Sequence, residues 1–165
     1  MSTLGSRGAL HLRGRRTKII YESALALVPH VSWLVINDRI DIALAAGVKA
    51  VQVGRRSLSV EEVRRIGPGM QVGESVHDVM QSTADWVIAG HIFDTPSHAG
   101  EPSRGLAFLH QICQVSPVPV IAIGGITPRD VRAVREAGAH GVAVIRGIWD
   151  APADAVHEYL GEFDR

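Results

Sequence analysis

Little in this chain of 165 residues points to a specialised class. Cys113 is the only cysteine, which excludes an internal disulfide and any cysteine-cluster metal site. Neither sign of charge is in excess, because 17 Lys+Arg balance 17 Asp+Glu. Generic binders of nucleic acid or anionic membranes carry a basic surplus, so neither partner is expected. No apolar run approaches the ~20 residues of a membrane helix. The polar N-terminus lacks the apolar core of a secretory signal. No low-complexity linker divides the chain. With 46% hydrophobic and 21% charged residues, these absences leave a cytoplasmic globular protein with a single domain over residues 1–165.

What is present is alternation. Short runs rich in Val and Ile predict strands at Ala9–Arg13, Trp33–Ile36, Ala50–Val53, Met70–Gly73, Trp86–Ala89, Pro119–Ile123 and Gly141–Ile145. They are apolar at nearly every position, as strands buried on both faces of a parallel sheet are. Amphipathic stretches predict helices at Thr17–Val28, Asp38–Ala46, Ser59–Ile66, His77–Thr83, Gly105–Val115, Thr127–Ala137 and Pro152–Phe163. Ser59 with Glu62 is a capping-box pattern, and Thr127-Pro128 sets a cap residue before a first-turn proline. Gly47 and Gly138 follow their helices where a left-handed stop is wanted.

Seven βα units in alternation predict an α/β fold with a parallel sheet. Polar or glycine-rich residues follow nearly every strand: Arg13, Asn37-Asp38, Gly54-Arg55, Glu74-Ser75, Gly90-His91, Gly124-Gly125 and Arg146-Gly147. That spread fits the mouth of a TIM-type barrel, where every strand contributes a loop. A doubly wound sheet would concentrate them at one switch point.

Four segments carry chemistry. Val118–Pro128 runs a buried strand into Gly124-Gly125 and a helix start, and Gly141–Ile148 ends a second strand at Gly147. As the last two strands of a barrel they would form its usual phosphate site, although each alone also reads as a tight βα turn. His91 stands just past a strand end, ahead of a Gly/Pro/Ser-rich loop long enough to be a lid. It is either a proton carrier or a locally bonded side chain packed under that loop. His98 falls in the loop's exposed part and is expected to be solvated. Asp38 and Asp41 each fit a metal ligand, a helix cap or an ion-pair partner. His11, Arg13 and Arg15 alternate onto one strand face, where an arginine would suit a carboxylate or phosphate. No histidine pair has helical ligand spacing, so no zinc site is expected.

These stretches together resemble the thiamine phosphate synthase/TenI superfamily from about Leu10 to Phe163. The most specific words are Ile36-Asn37-Asp38-Arg39 with Asp41-Ile42-Ala43-Leu44, Gly73-Glu74-Ser75-Val76-His77, Gly90-His91-Ile92-Phe93-Asp94-Thr95 and Ile121–Pro128. The resemblance implies a (β/α)8 barrel that handles the phosphorylated thiazole of thiamin biosynthesis. The synthase branch couples a pyrimidine pyrophosphate to thiazole phosphate with magnesium. Its first strand reads Gln-x-Arg-x-Lys where this chain has His11-Leu12-Arg13-Gly14-Arg15. Its metal-binding Asp falls on Ser57, its proline on His91, and its loop Thr-Lys on Ser97-His98.

The other branch resembles the thiazole tautomerase, whose proposed proton carrier falls on His91. The resemblance thus implies an isomerase that aromatises a thiazole carboxylate phosphate by acid/base transfer through His91, with no metal and no cofactor. In that reading Gly124, Gly125 and Gly147 hold the phosphate, Arg13 meets the carboxylate, and Asn37 and Ser75 complete the substrate contacts. Arg146, where relatives often carry serine, either reinforces the phosphate or turns outward. The alternatives are the synthase itself, a transferase, and a non-catalytic relative that binds a phosphorylated metabolite. Association of relatives implies a homo-oligomer. A complete barrel usually needs ~200 residues or more. The match begins at what should be the second strand, so the first strand and helix are expected to be missing.

Overall fold

Val and Ile populate strands because their branched side chains pack well on a pleated surface covered from both sides. The computed structural model describes residues 7–149 and 152–164. It contains β1 (Leu10–Leu12), β2 (Leu34–Asn37), β3 (Ala50–Val53), β4 (Gln71–Val76), β5 (Trp86–Gly90), β6 (Val120–Ile123) and β7 (Gly141–Ala143). The helices are α1 (Thr17–Leu27), α2 (Ile40–Ala46), α3 (Val60–Ile66), α4 (Gly105–Val115), α5 (Val131–Glu136), α6 (Arg146–Trp149) and α7 (Pro152–Phe163). This is the α/β class with parallel strands that the alternation predicts.

The described residues divide into two compact units, one ending at Glu74 and one beginning at Ser75. In the first, β1 pairs with β2, β2 with β3, and β3 with the start of β4, all parallel. The register sets Val35 beside Ala50 and Val51 beside Val72. Val35, Val51 and Val72 are fully buried, as continuous apolar strands require. The Ser59–Glu62 capping box forms as predicted. The Glu62 N–H donates to Ser59 Oγ at 3.2 Å and the Ser59 N–H to Glu62 Oε2 at 2.8 Å.

In the second unit β5, β6 and β7 pair in parallel, with Gly90 beside Ile123 and Ile123 beside Ala143. Its core gathers Val87, Ile92, Leu109, Ile112, Ala122 and Val134. Tyr159 of α7 joins that core and donates its hydroxyl to the Ile126 carbonyl at 2.8 Å.

One predicted element is absent. Residues 77–83 form bends and irregular chain rather than a helix. A stretch of under two turns has little to offset the cost of nucleation. Here its side chains are committed elsewhere. His77 Nδ1–H donates to the Gly90 carbonyl at 3.2 Å, and Asp78 accepts Arg104 Nη2 at 3.0 Å. Ser82 Oγ accepts the Ala84 N–H at 3.0 Å. The last strand is also shorter than predicted, because Arg146 already begins α6.

Candidate functional site

In the first unit the chemistry gathers where β2 ends. Asp38 has φ 63, a left-handed value that few non-glycine residues adopt. Around it the Arg39 N–H donates to the Asn37 carbonyl at 2.8 Å, and the Asp38 N–H to the Gln52 carbonyl at 2.9 Å. This backbone turns the Asp38 carboxylate into a local cluster. Asn37 Nδ2 donates to Oδ2 at 2.6 Å, and the Ser57 hydroxyl donates to Oδ1. Ser57 is itself fixed by the Gly54 N–H, which donates to its Oγ at 2.8 Å.

Asp38 is therefore not the cap of α2, whose capping position is Arg39. Asp41 is an ion-pair partner. Arg39 donates to its two oxygens through Nε at 2.8 Å and Nη2 at 2.5 Å, and this guanidinium holds the Asp41 carboxyl below its ordinary range. Arg39 Nη1 also reaches Thr17 Oγ1 at 2.8 Å. Arg13 lies exposed just past β1, and Asn37 is the half-buried last residue of β2.

In the second unit His91 directly follows β5 and is 7% exposed. The loop after it is closed at its base by main-chain bonds: Arg104 N–H to the His91 carbonyl and Gly105 N–H to the Ile92 carbonyl, both 2.9 Å. Within the loop, Pro96–His98 makes a 3-10 turn, and the Glu101 N–H donates to the His98 carbonyl at 3.0 Å. That turn folds His98 back over His91. The rings stack with centroids 4.5 Å apart and planes 15° apart. His98 is therefore not the solvated side chain that its place in the loop predicts; its Nδ1 is buried without a hydrogen-bond partner. His91 Nε2–H points at the Glu101 carbonyl at 3.4 Å.

Helical spacing, the criterion applied to the sequence, does not detect this grouping. A proline-initiated turn between His91 and Glu101 was the available signal. Arg146 turns outward onto the same loop, donating from Nη2 to Ser97 Oγ at 2.9 Å.

The glycines of the expected phosphate turn are required by close packing. A Cβ on Gly125 would stand 2.5 Å from the Asp94 carbonyl oxygen, and one on Gly124 2.4 Å from His91 Cβ. Both residues have positive φ. The turn thus fits against residues 91–94, while Thr127 follows with its N–H donated to Asp130 Oδ2 at 2.8 Å. Gly147 lies against the Tyr159 hydroxyl, 2.7 Å from where its Cβ would be. Ser75 is half-buried within β4. The second unit thus holds Ser75, His91, Gly124, Gly125, Arg146 and Gly147 of the predicted residues, and the first holds Arg13 and Asn37.

The thiamine-phosphate synthase of Roseiflexus castenholzii is 42% identical over 163 residues, 90% of this chain and 71% of that protein. That of Deinococcus radiodurans is 39% identical over 123 residues, 70% of this chain but only 44% of that protein, so this chain spans under half of its length. A solved thiamine phosphate pyrophosphorylase from Pyrococcus furiosus superposes with a TM-score of 0.82 at 27% identity, covering 94% of this chain and 81% of the other.

These relatives overturn the isomerase expected from His91. They are named as synthases, which are transferases. The tautomerase reading rested on a few positions, and His91 itself is held under a loop by stacking on His98. The profile of the thiamine monophosphate synthase family matches residues 10–148, and the chain belongs to that family.

Proposed function

We propose that this chain is a transferase of the thiamine-phosphate synthase type, which joins a pyrimidine pyrophosphate to a thiazole phosphate and releases pyrophosphate. The observation that carries this reading is the 42% identity, over 90% of this chain, to a protein of that name. The fold we propose with it is a TIM-type barrel in the cytoplasm, with a small-molecule phosphate ester as ligand. Among the described residues no helix is long and apolar enough to cross a membrane.

In this reading the main chain of Gly124, Gly125 and Gly147 meets a phosphate: Gly124 and Gly125 directly follow β6, and Gly147 lies in the first turn of α6, which follows β7. Arg13 offers an exposed guanidinium to an anionic group, and Asn37 and Ser75 offer neutral hydrogen-bonding groups. His91 shapes the floor under the following loop.

The magnesium that the resemblance implies does not find its residues. Among the described residues the cluster that ends β2 holds one carboxylate, Asp38, and both its oxygens already accept bonds from the neutral donors Asn37 and Ser57. The resemblance puts the second carboxylate of the synthases at Ser57.

That substitution, with His98 in the place of the loop lysine, favours a second reading: a non-catalytic relative that binds a phosphorylated thiazole. One experiment separates the two. Purified protein is given both substrates, with and without magnesium, and thiamin phosphate and pyrophosphate are followed. Equimolar formation of the two supports the transferase. No product, with calorimetric binding of thiazole phosphate retained, supports the binder; no binding of either substrate sinks both readings.

A further inference from the structure

We propose that His91, His98 and Glu101 form a binding site for a divalent transition-metal cation of the zinc class. Each residue offers one ligand atom, and the three atoms lie within 4.8 Å of one another. The donor set, two imidazole nitrogens and one carboxylate oxygen, suits zinc and its neighbours rather than magnesium, which prefers oxygen alone. Three protein ligands leave a fourth position open for water or an anion.

Two further observations point the same way. His98 Nδ1 is buried and makes no hydrogen bond, which costs free energy unless something is bound there. The three residues are also held by main chain: Arg104 N–H on the His91 carbonyl and Glu101 N–H on the His98 carbonyl. His91 is the fixed, buried member, and the loop brings the other two to it. Zinc sits about 2.0–2.1 Å from imidazole nitrogen, and the three atoms, already within 4.8 Å of one another, need only small side-chain adjustments to meet one ion. The metal would then fasten the loop at residues 98 and 101 to the end of β5. The inference does not depend on the transferase reading.

The test uses the full chain, freed of metal by a chelator and dialysed, with zinc chloride as the probe. Calorimetry is expected to show one equivalent bound, and zinc to raise the melting temperature, as any ligand selective for the folded state does. Magnesium chloride is expected to do neither. His98→Ala and Glu101→Gln alter only loop side chains and should fold; each is expected to weaken zinc binding at least tenfold and to abolish the thermal shift. Cobalt bound in place of zinc should show the visible spectrum of a four-coordinate nitrogen/oxygen site, absent in His98→Ala. Failure of the parent to bind zinc stoichiometrically overturns the proposal. So does parent-like affinity in both variants, which would place the ion on other histidines.

Discussion

The hydroxyl of Ser57 donates to the carboxylate of Asp38 across 19 positions of sequence, tying the turn after β3 to the end of β2. A serine is neutral, so it donates to this carboxylate without setting a second negative charge beside it. Ser57→Asp reverses that balance. Two carboxylates within hydrogen-bond reach repel, and one pKa rises. The variant is expected to be less stable than the parent by about 1–2 kcal/mol in metal-free buffer at pH 7, from the lost hydrogen bond and the repulsion. Added magnesium should restore most of the loss and should leave the parent unaffected, because hard oxygen donors then face the ion. Denaturation with and without magnesium measures both. A variant that ignores magnesium would show that the second carboxylate does not aim into the cluster.

Asp41 supplies a pH dependence of known sign. Its carboxyl titrates below the ordinary range because Arg39 donates to both of its oxygens. A depressed folded pKa means the pair stabilises above the unfolded value of about 3.9 and is lost as pH falls through the folded value. The side chain is largely exposed, so the effect is small and salt-sensitive. Asp41→Asn should therefore melt slightly lower than the parent at pH 7 in low salt. The difference should vanish toward pH 2 and shrink in 1 M salt. A difference that persists at pH 2 would assign the effect to packing instead.

The strands were legible because burial on both faces leaves one signature, and Val35, Val51 and Val87 carry it at near-zero exposure. The segment from His77 to Thr83 was not. Its apolar spacing suits a helix, but Gly90 and Arg104 claim His77 and Asp78 from afar in sequence. The site divides in the same way. His91 could be found from its place at a strand end. The partnership with His98 depends on how a loop folds back, and that loop is pinned by Arg146 from 49 positions away. Ser57 was readable as a missing ligand but not as the donor to Asp38. The branch assignment failed for a related reason: departures at a few site positions do not outweigh 42% identity over 163 residues to a protein named as a synthase.

Gly125 tests the close approach behind the strand-end turn. With φ 65 and carbonyl oxygens of Asp94 and Phe93 at 2.5 and 2.8 Å from any Cβ, alanine has neither the conformation nor the space. Left-handed strain of about 1–2 kcal/mol adds to overpacking of about 1–3 kcal/mol. Gly125→Ala should lower unfolding free energy by about 2–5 kcal/mol, seen as a shifted urea midpoint with an unchanged slope. A loss under about 0.5 kcal/mol would mean that residues 93–94 yield easily and do not brace the turn.

Arg146 separates phosphate binding from loop fastening. Its Nη2 is committed to Ser97 Oγ at 2.9 Å, in the middle of the loop that carries His98. The side chain is exposed, so deleting it should cost under about 1 kcal/mol of global stability. The local cost is larger in proportion, because Ser97 lies in mid-loop whereas the main-chain bonds that close the loop lie at its base, at His91 and Ile92. Arg146→Ala should open the loop more often, and local opening governs cleavage when opening is fast. Limited trypsin digestion at Arg104 is expected to run several-fold faster in the variant, while its affinity for inorganic phosphate stays within about twofold of the parent. Arg146→Lys keeps the charge but not the planar fork, and should be cut at nearly the rate of Arg146→Ala. If instead phosphate affinity falls tenfold or more with no change in cleavage, the guanidinium belongs to the anion and not to the loop.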